Sequence, residues 1–277
     1  MLEFKIMITL IIIIILVSFI QIKSSPLEEF KLTTGEDKND NILPADDFEI
    51  YLINLDRNPD RLTHFASQWK NSDLKSKEIN RVSAVDGNEI NISTYVSERA
   101  FGEMNAITNA GYRTKHYQLT KGAVGCYLSH LKTYKHIADG DKPYGLILED
   151  DIIIPKNFHK QIKGVLKNIP NNWDILLLSC HCITCKRKEM YSSVHKFFWT
   201  HCYIISKECA ERLMKELGDK PIEQQIDAEL GEMTVEQNWP IIYCVNNSIA
   251  SQSHGFKTDI QMPIRYNPNI NPHASVK

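Results

Sequence analysis

The chain has 277 residues, 43% hydrophobic and 24% charged, with a formal net charge of -2. This is ordinary globular composition with length for a substantial core, and it points to one large α/β domain or two small ones. The near-neutral balance gives no support to nucleic acid binding, which needs a basic face.

Ile6 to Ile22 is almost wholly apolar, interrupted by Thr9, Ser18 and Gln21 and flanked by Lys5 and Lys23. It sits at the short edge of a membrane-spanning helix and is a little long for a signal-peptide core. Ser24 and Ser25 are followed at once by Pro26, with no A-x-A cleavage pattern, so residues 1–23 are expected to form an uncleaved signal anchor. The two lysines do not settle orientation. The short tail before the anchor favours a lumenal C-terminal domain, a single-pass type II arrangement in the endoplasmic reticulum or Golgi membrane. Residues 24–47 are polar and charged and read as a stem or linker, leaving residues 48–277 as the domain. Sequons at Asn91-Ile-Ser93 and Asn246-Asn-Ser248 agree with that compartment.

Phe48 to Leu55 reads as the first strand, ending at the turn and helix-start signal Asp56-Arg57-Asn58-Pro59. Asp60 to Lys70 then places Leu62, Phe65, Ala66 and Trp69 at helical spacing. Glu78 to Val85 makes a second strand, and residues 90–120 suggest loops with a short helix. Gly122 to Ala138 is amphipathic, with Val124, Leu128, Leu131, Tyr134 and Ile137 on one face. An apolar strand through Leu146-Ile-Leu148 follows, then a helix over Phe158 to Ile169 and a strand over Trp173 to Leu178. Phe197 to Ser206 is expected as one strand, Lys207 to Leu217 as a helix and Pro240 to Val245 as the last strand. Strands alternating with helices predict an α/β fold with a mostly parallel central sheet. No internal repeat, Walker loop or GxGxxG is present.

Seven cysteines include the cluster Cys180-His-Cys-Ile-Thr-Cys185. A structural zinc site wants a second ligand pair, and no second C-x-x-C exists, so one to three disulfides with at least one unpaired thiol are expected instead.

Glu149-Asp150-Asp151 carries the chemistry. A fully buried strand cannot hold three neighbouring carboxylates, because an unpaired buried charge is very costly. The acids therefore belong at the carboxyl end of the strand, where open α/β sheets place their ligands. Along an extended backbone Glu149 and Asp151 point one way and Asp150 the other. Two converging carboxylates suit a hard divalent cation, Mn²⁺ or Mg²⁺, bridging them to a phosphate.

Three blocks in order carry a family likeness: Ile53-Asn-Leu-Asp-Arg-Asn-Pro-Asp-Arg61, Lys121-Gly-Ala-Val-Gly-Cys-Tyr-Leu-Ser-His130 and Leu146-Ile-Leu-Glu-Asp-Asp151. With weaker matches at Thr200-His-Cys-Tyr-Ile-Ile-Ser206, Ile226-Asp227 and Ser251-Gln-Ser-His254 with Asp259-Ile-Gln261, the chain from Phe48 to Gln261 resembles glycosyltransferase family 25. That family includes bacterial lipooligosaccharide galactosyltransferases and animal collagen galactosyltransferases. The resemblance implies a GT-A-like nucleotide-sugar-binding fold and inverting transfer, commonly of galactose from UDP-galactose, to a glycan or glycoprotein acceptor.

On that reading Glu149 and Asp151 hold the metal, with His254 closing the site. Asn54, Asp56, Arg57 and Arg61 meet the donor at the first strand-to-helix junction, where helix N-termini favour anions. Ser129, His130 and Asp150 complete the donor set, with Asp150 alternatively bracing its turn and Asp56 alternatively an N-cap. Asp227 is first choice as the base that inversion requires, with Glu223 and Glu229 as alternatives. The blocks between Asn88 and Thr120 and around Cys180 to Lys196 match nothing in the family, which leaves the acceptor open. Two other readings compete. One is a catalytically silent relative that binds sugar nucleotide or glycan. The other is two-metal phosphoester hydrolysis, which needs more His and Asp ligands than stand near the acidic triplet.

Overall fold

The computed structural model describes residues 47–253, 255–260 and 262–265. The expected anchor, nearly all of the stem and His254 lie outside these residues. Among the described residues no helix is long and apolar enough to cross a membrane.

The first strand, β1 (Phe48–Asn54), leads into α1 (Pro59–Trp69) and back to β2 (Asn80–Ser83). α2 (Glu98–Ala110) and α3 (Lys121–Asp139) precede β3 (Tyr144–Glu149), the short β4 (Ile152–Ile153) and α4 (Phe158–Leu166). Then come β5 (Ile175–Leu177), β6 (His181–Arg187), β7 (Tyr191–Phe198), β8 (Cys202–Ser206) and α5 (Lys207–Leu217). α6 (Ile226–Glu236), β9 (Ile242–Val245) and β10 (Ser251–Gln252) complete the order.

Eight strands form one sheet in the order β2-β1-β3-β8-β5-β9-β7-β6, and β4 pairs with β10 apart from it. The expectation of a mostly parallel sheet needs correction: β1 pairs in parallel with β2 and β3, and β5 with β9, but the other four pairings are antiparallel. Strand β8 is inserted between β3 and β5 and runs against both. Pairing of this kind depends on residues far apart in sequence, so no local pattern announces it.

Side chains alternate across the sheet as the two-residue period requires. Tyr51, Ile53, Ile147, Ile175, Leu177, Tyr203 and Ile205 pack on one face with α2, α3, α5 and α6. Ile50, Leu52, Leu146, Leu148, Leu176 and Ile204 pack on the other with α1 and α4. Both faces are covered, which is why the central strands read as continuous apolar runs.

Two expectations change in detail. Residues 90–120 contain the full helix α2, capped by Ser97 on the Ala100 amide at 3.1 Å and closed by Gly111 at φ 75°. The single strand expected over Phe197 to Ser206 is broken at Trp199, whose φ is 81°. The segment before it forms the β6–β7 hairpin, whose outer strand is largely exposed and so lacks an apolar signature. Disulfides Cys180–Cys244 and Cys182–Cys185 take all three thiols of the cluster, leaving Cys126, Cys202 and Cys209 free.

Glycines bring the start of α3 against two backbones, the segment through Asp259 and the loop after β2. A Cβ on Gly122 would lie 2.0 Å from the Asp259 carbonyl oxygen, and one on Gly125 2.4 Å from that of Val85. Backbone approaches this close leave no room for a side chain.

Candidate active site

Strand β3 is buried until its last residue, where the chain leaves the sheet, turns through Asp150 and Asp151 and enters β4. The turn separates the three acids. Asp150 is buried, and its Oδ2 accepts from Asn54 Nδ2 at 2.6 Å while Oδ1 accepts from Arg61 at 3.1 Å. Glu149 and Asp151 line a cavity of about 770 Å³. Asp151 Oδ2 accepts from Gln252 Nε2 at 2.9 Å and lies 3.5 Å from the Arg61 guanidinium. Its Oδ1 is buried with no hydrogen-bond partner among the described residues.

Glu149 is held from behind. Its Oε1 is 3.4 Å from His130 Nε2, and His130 Nδ1 is 2.8 Å from the Tyr203 hydroxyl, which donates to that of Tyr134 at 2.9 Å. His130 and both tyrosines are fully buried on α3 and β8, so this row is part of the core that aims Glu149.

These environments separate the acids electrostatically. Burial pushes the Asp151 carboxyl up, and the charges of Glu149 and Asp150 add to it, to about 7. Burial also raises Glu149, but His130, His201 and Arg61 outweigh it and hold Glu149 below the usual carboxylate range. Neighbouring like charges oppose each other's ionisation, and Asp151 is the acid on which that cost falls.

The donor types would suit a divalent cation, although the ligand atoms of Glu149, Asp151 and His201 do not converge within 4.8 Å and would have to draw together around it. Asp151 Oδ1 and the Nε2 of buried His201 are both unpartnered among the described residues, and Glu149, Asp151 and His201 line the same cavity. Two carboxylates and an imidazole suit Mn²⁺, with Mg²⁺ also served by the oxygens. His201 itself is kept from charging by burial, against the pull of Glu149. Cys126 Sγ lies with His130 and Glu149 ligand atoms within 4.8 Å, but burial raises its thiol pKa, which disfavours the thiolate that a metal takes.

Asp227 opens the first turn of α6 and lines the same cavity. Its Oδ1 accepts from the Ala228 amide at 2.8 Å and its Oδ2 from the Trp199 amide at 3.2 Å. Burial nevertheless raises its pKa to about 6, and the Glu149 charge contributes to the rise. The alternatives are engaged elsewhere: Glu223 pairs with Arg99, and Glu229 accepts from Lys220 at 2.6 Å. Neither lines the cavity.

A smaller cavity of about 80 Å³ adjoins the first, at the carboxyl ends of β1 and β2 beside the start of α3. Glu149 and Asp151 line both. Arg57 and Arg61 stand on the smaller one. Arg61 is buried, within 3.0 Å of Asp259 as well as beside Asp150. Arg57 is half-exposed and pairs with Asp86 and, at 2.7 Å, with Asp259. Ser129 donates to the Gly125 carbonyl at 2.7 Å and accepts from the Val85 amide at 2.9 Å, fixing α3 to the loop. Asn54 is buried, donating to Asp150 and the Asn58 carbonyl and accepting from Arg81. Asp56 is largely exposed and does not cap α1; its carboxylate pairs with Arg81, which lowers its pKa, and accepts from Ser83 at 2.8 Å. Asn54 and Asp56 line neither cavity.

Sequence reading missed His116, His181, Trp199 and His201, all on the larger cavity. His201 stands inside the Thr200-His-Cys-Tyr block, which was the available signal. The others come from stretches that carry no motif.

The model of a family described as glycosyltransferase family 25 (LPS biosynthesis protein) matches residues 47–228. Procollagen galactosyltransferase 2 of Homo sapiens is 28% identical over 178 residues, covering 60% of this chain and 27% of that one. A procollagen lysyl hydroxylase and glycosyltransferase of Acanthamoeba polyphaga mimivirus is 31% identical over 179 residues, covering 59% of this chain and 19% of that one. A probable inactive glycosyltransferase 25 family member 3 of Bos taurus is 22% identical over 224 residues, covering 77% and 34%. The chain thus spans well under half the length of these curated relatives. Among solved structures, S. aureus TarS 1-349 in complex with UDP-GlcNAc is similar over 76% of this chain and 60% of that one, at 12% identity. Its TM-score of 0.39 is too low to carry a fold assignment.

Proposed function

The chain belongs to glycosyltransferase family 25, and from that premise we propose a metal-dependent inverting transferase. Its donor is a UDP-sugar, UDP-galactose first, and its acceptor a hydroxyl of a glycan or glycoprotein. Galactose is favoured because relatives at modest identity carry the name procollagen galactosyltransferase. The observation that carries the proposal is the carboxylate pair at the junction of two cavities, with the unpartnered Asp151 Oδ1 on one side and Asp227 across the larger space.

The smaller cavity, at the strand ends, takes only part of the nucleotide, and the adjoining larger one takes the rest with sugar and acceptor. Glu149, Asp151 and His201 hold the cation, which when bound supplies Lewis-acid stabilisation of the departing diphosphate. Asp227 accepts the proton of the acceptor hydroxyl, and that oxygen attacks the anomeric carbon from the face opposite the diphosphate. The bond from that carbon to the diphosphate oxygen breaks, and UDP leaves with the electron pair. A carboxylate with a pKa near 6 is better matched to this task than an ordinary aspartate.

Anchoring of this domain on the lumenal side of the endoplasmic reticulum or Golgi membrane remains part of the proposal. A second reading, a silent sugar-nucleotide binder, draws on the relative named as probable inactive. A panel of UDP-sugars with Mn²⁺ or EDTA, read as UDP release, tests both. Release with one sugar, abolished by EDTA and by Asp151→Asn, supports transfer. UDP binding without turnover on any acceptor supports the silent binder, and absence of UDP binding defeats both.

A further inference from the structure

The wall of the larger cavity carries a row of aromatic rings of which the transfer chemistry uses only the last, His201. His116 and Phe198 stand with centroids 5.0 Å apart, and Phe198 stacks on His181 at 6.1 Å and an interplanar angle of 3°. His181 meets Trp199 at 5.4 Å, and Trp199 meets His201 at 6.0 Å. The row thus runs from the cavity's far end to the cation ligands.

Trp199 is the exceptional member. A bulky apolar residue at φ 81° is strained, and such strain persists only where the surroundings impose it. Its side chain is nevertheless 46% exposed, so packing of the indole does not impose the strain. At this turn the Trp199 amide donates to Asp227 Oδ2 at 3.2 Å. One backbone geometry therefore aims an N–H at the candidate base and offers an indole face beside it.

We propose that Trp199 and the rings stacked behind it form the acceptor subsite, and that the acceptor presents a pyranose ring there. The proposal rests on the transferase reading above. A pyranose has a flat C–H face for the indole and a rim of hydroxyls for the imidazoles of His116 and His181. One of those hydroxyls then reaches Asp227. A lysine-type amine is disfavoured, because the buried guanidinium of Arg113 lines the same cavity and the carboxylates at its other end serve the cation. Burial and the Arg113 charge, with that of His181, keep His116 neutral, consistent with a neutral ligand.

The test is ligand-observed saturation-transfer NMR on the full chain with UDP and Mn²⁺. The probes are methyl β-galactopyranoside, methyl β-glucopyranoside, methyl β-N-acetylglucosaminide and a lysine-bearing peptide. At least one pyranoside is expected to saturate through the protons of one ring face. Trp199→Gly should weaken that binding by about tenfold or more, and Trp199→Phe should restore most of it, because a planar ring is what is required. UDP affinity should be unchanged in both. Pyranosides that fail to saturate while UDP binds, or that bind Trp199→Gly as well as the parent, overturn the proposal. Trp199-dependent binding of the peptide alone overturns it in favour of a peptide acceptor. Failure of UDP itself to bind counts against the transferase reading, and the pyranoside signals still decide the platform.

Discussion

Asp227→Asn should make the protein more stable at neutral pH while removing its activity. The Asp227 carboxyl is raised from 3.8 to about 6 in the folded chain, chiefly by burial. Each unit of pKa corresponds to about 1.4 kcal/mol, so the ionised side chain lowers folding stability by roughly 3 kcal/mol above pH 6. Because the folded pKa is the higher one, the protonated form's contribution is complete below pH 3.8 and is lost as the pH rises through 6. Asparagine removes the charge at every pH, but its amide nitrogen must face one of the two backbone N–H groups that the carboxylate accepts from, at a cost of about 1 kcal/mol. The variant should therefore fall about 1 kcal/mol below the parent near pH 3.5 and exceed it by about 2 kcal/mol at pH 7.5, read by urea denaturation at both values. Turnover should fall by about 10²- to 10⁴-fold, with UDP affinity retained, as expected for loss of a general base. In the parent, kcat/KM should fall about tenfold per unit below pH 6. A stability difference that does not change with pH, or a variant that is weaker at pH 7.5, would refute the burial argument. Retained turnover would refute the assignment of the base.

Three further outcomes follow from the surroundings of the site. Arg61→Ala leaves Asp150 buried beside Asp151 without its cation and should cost roughly 3–5 kcal/mol by denaturation, with partial recovery on adding Asp150→Asn. Gly125→Ala drives a Cβ to within 2.4 Å of the Val85 carbonyl oxygen and 2.8 Å of the Gly87 amide nitrogen. It should lower stability by roughly 1–3 kcal/mol and weaken UDP binding measured calorimetrically, because the loop it displaces borders the smaller cavity. Replacing Cys180 and Cys244 by serine opens a loop of 64 residues' separation and should lower unfolding free energy by roughly 4 kcal/mol relative to the oxidised parent.

The same uneven legibility shows in the row that supports Glu149. His130 is in a motif block and its place on a helix was readable, but its role was not. Its fully buried ring points at Tyr203, a residue 73 positions away, and only secondarily at Glu149. Ser129 likewise turned out to bind the Val85 amide across the helix–loop contact.

What the sequence determined by itself was local: periodicity marked β1, β3, α3 and α5, because apolar period and side-chain direction are set by the backbone. The cost of burying charge put all three acids at the strand's end, where a turn in place of the extended backbone brings Asp150 and Asp151 to the same Arg61 guanidinium. Tertiary structure alone decided the rest. The insertion of β8 against β3 sets His201 beside Glu149 and the Tyr203 hydroxyl beside His130. The left-handed break at Trp199 turns one expected strand into two and carries an indole to the cavity. Rings at 116, 181, 198, 199 and 201 share no spacing that a helix or strand would produce. They meet because the helix-loop segment before α3, the β6–β7 hairpin and the β7–β8 corner converge on one cavity, and convergence of distant segments leaves no period to read.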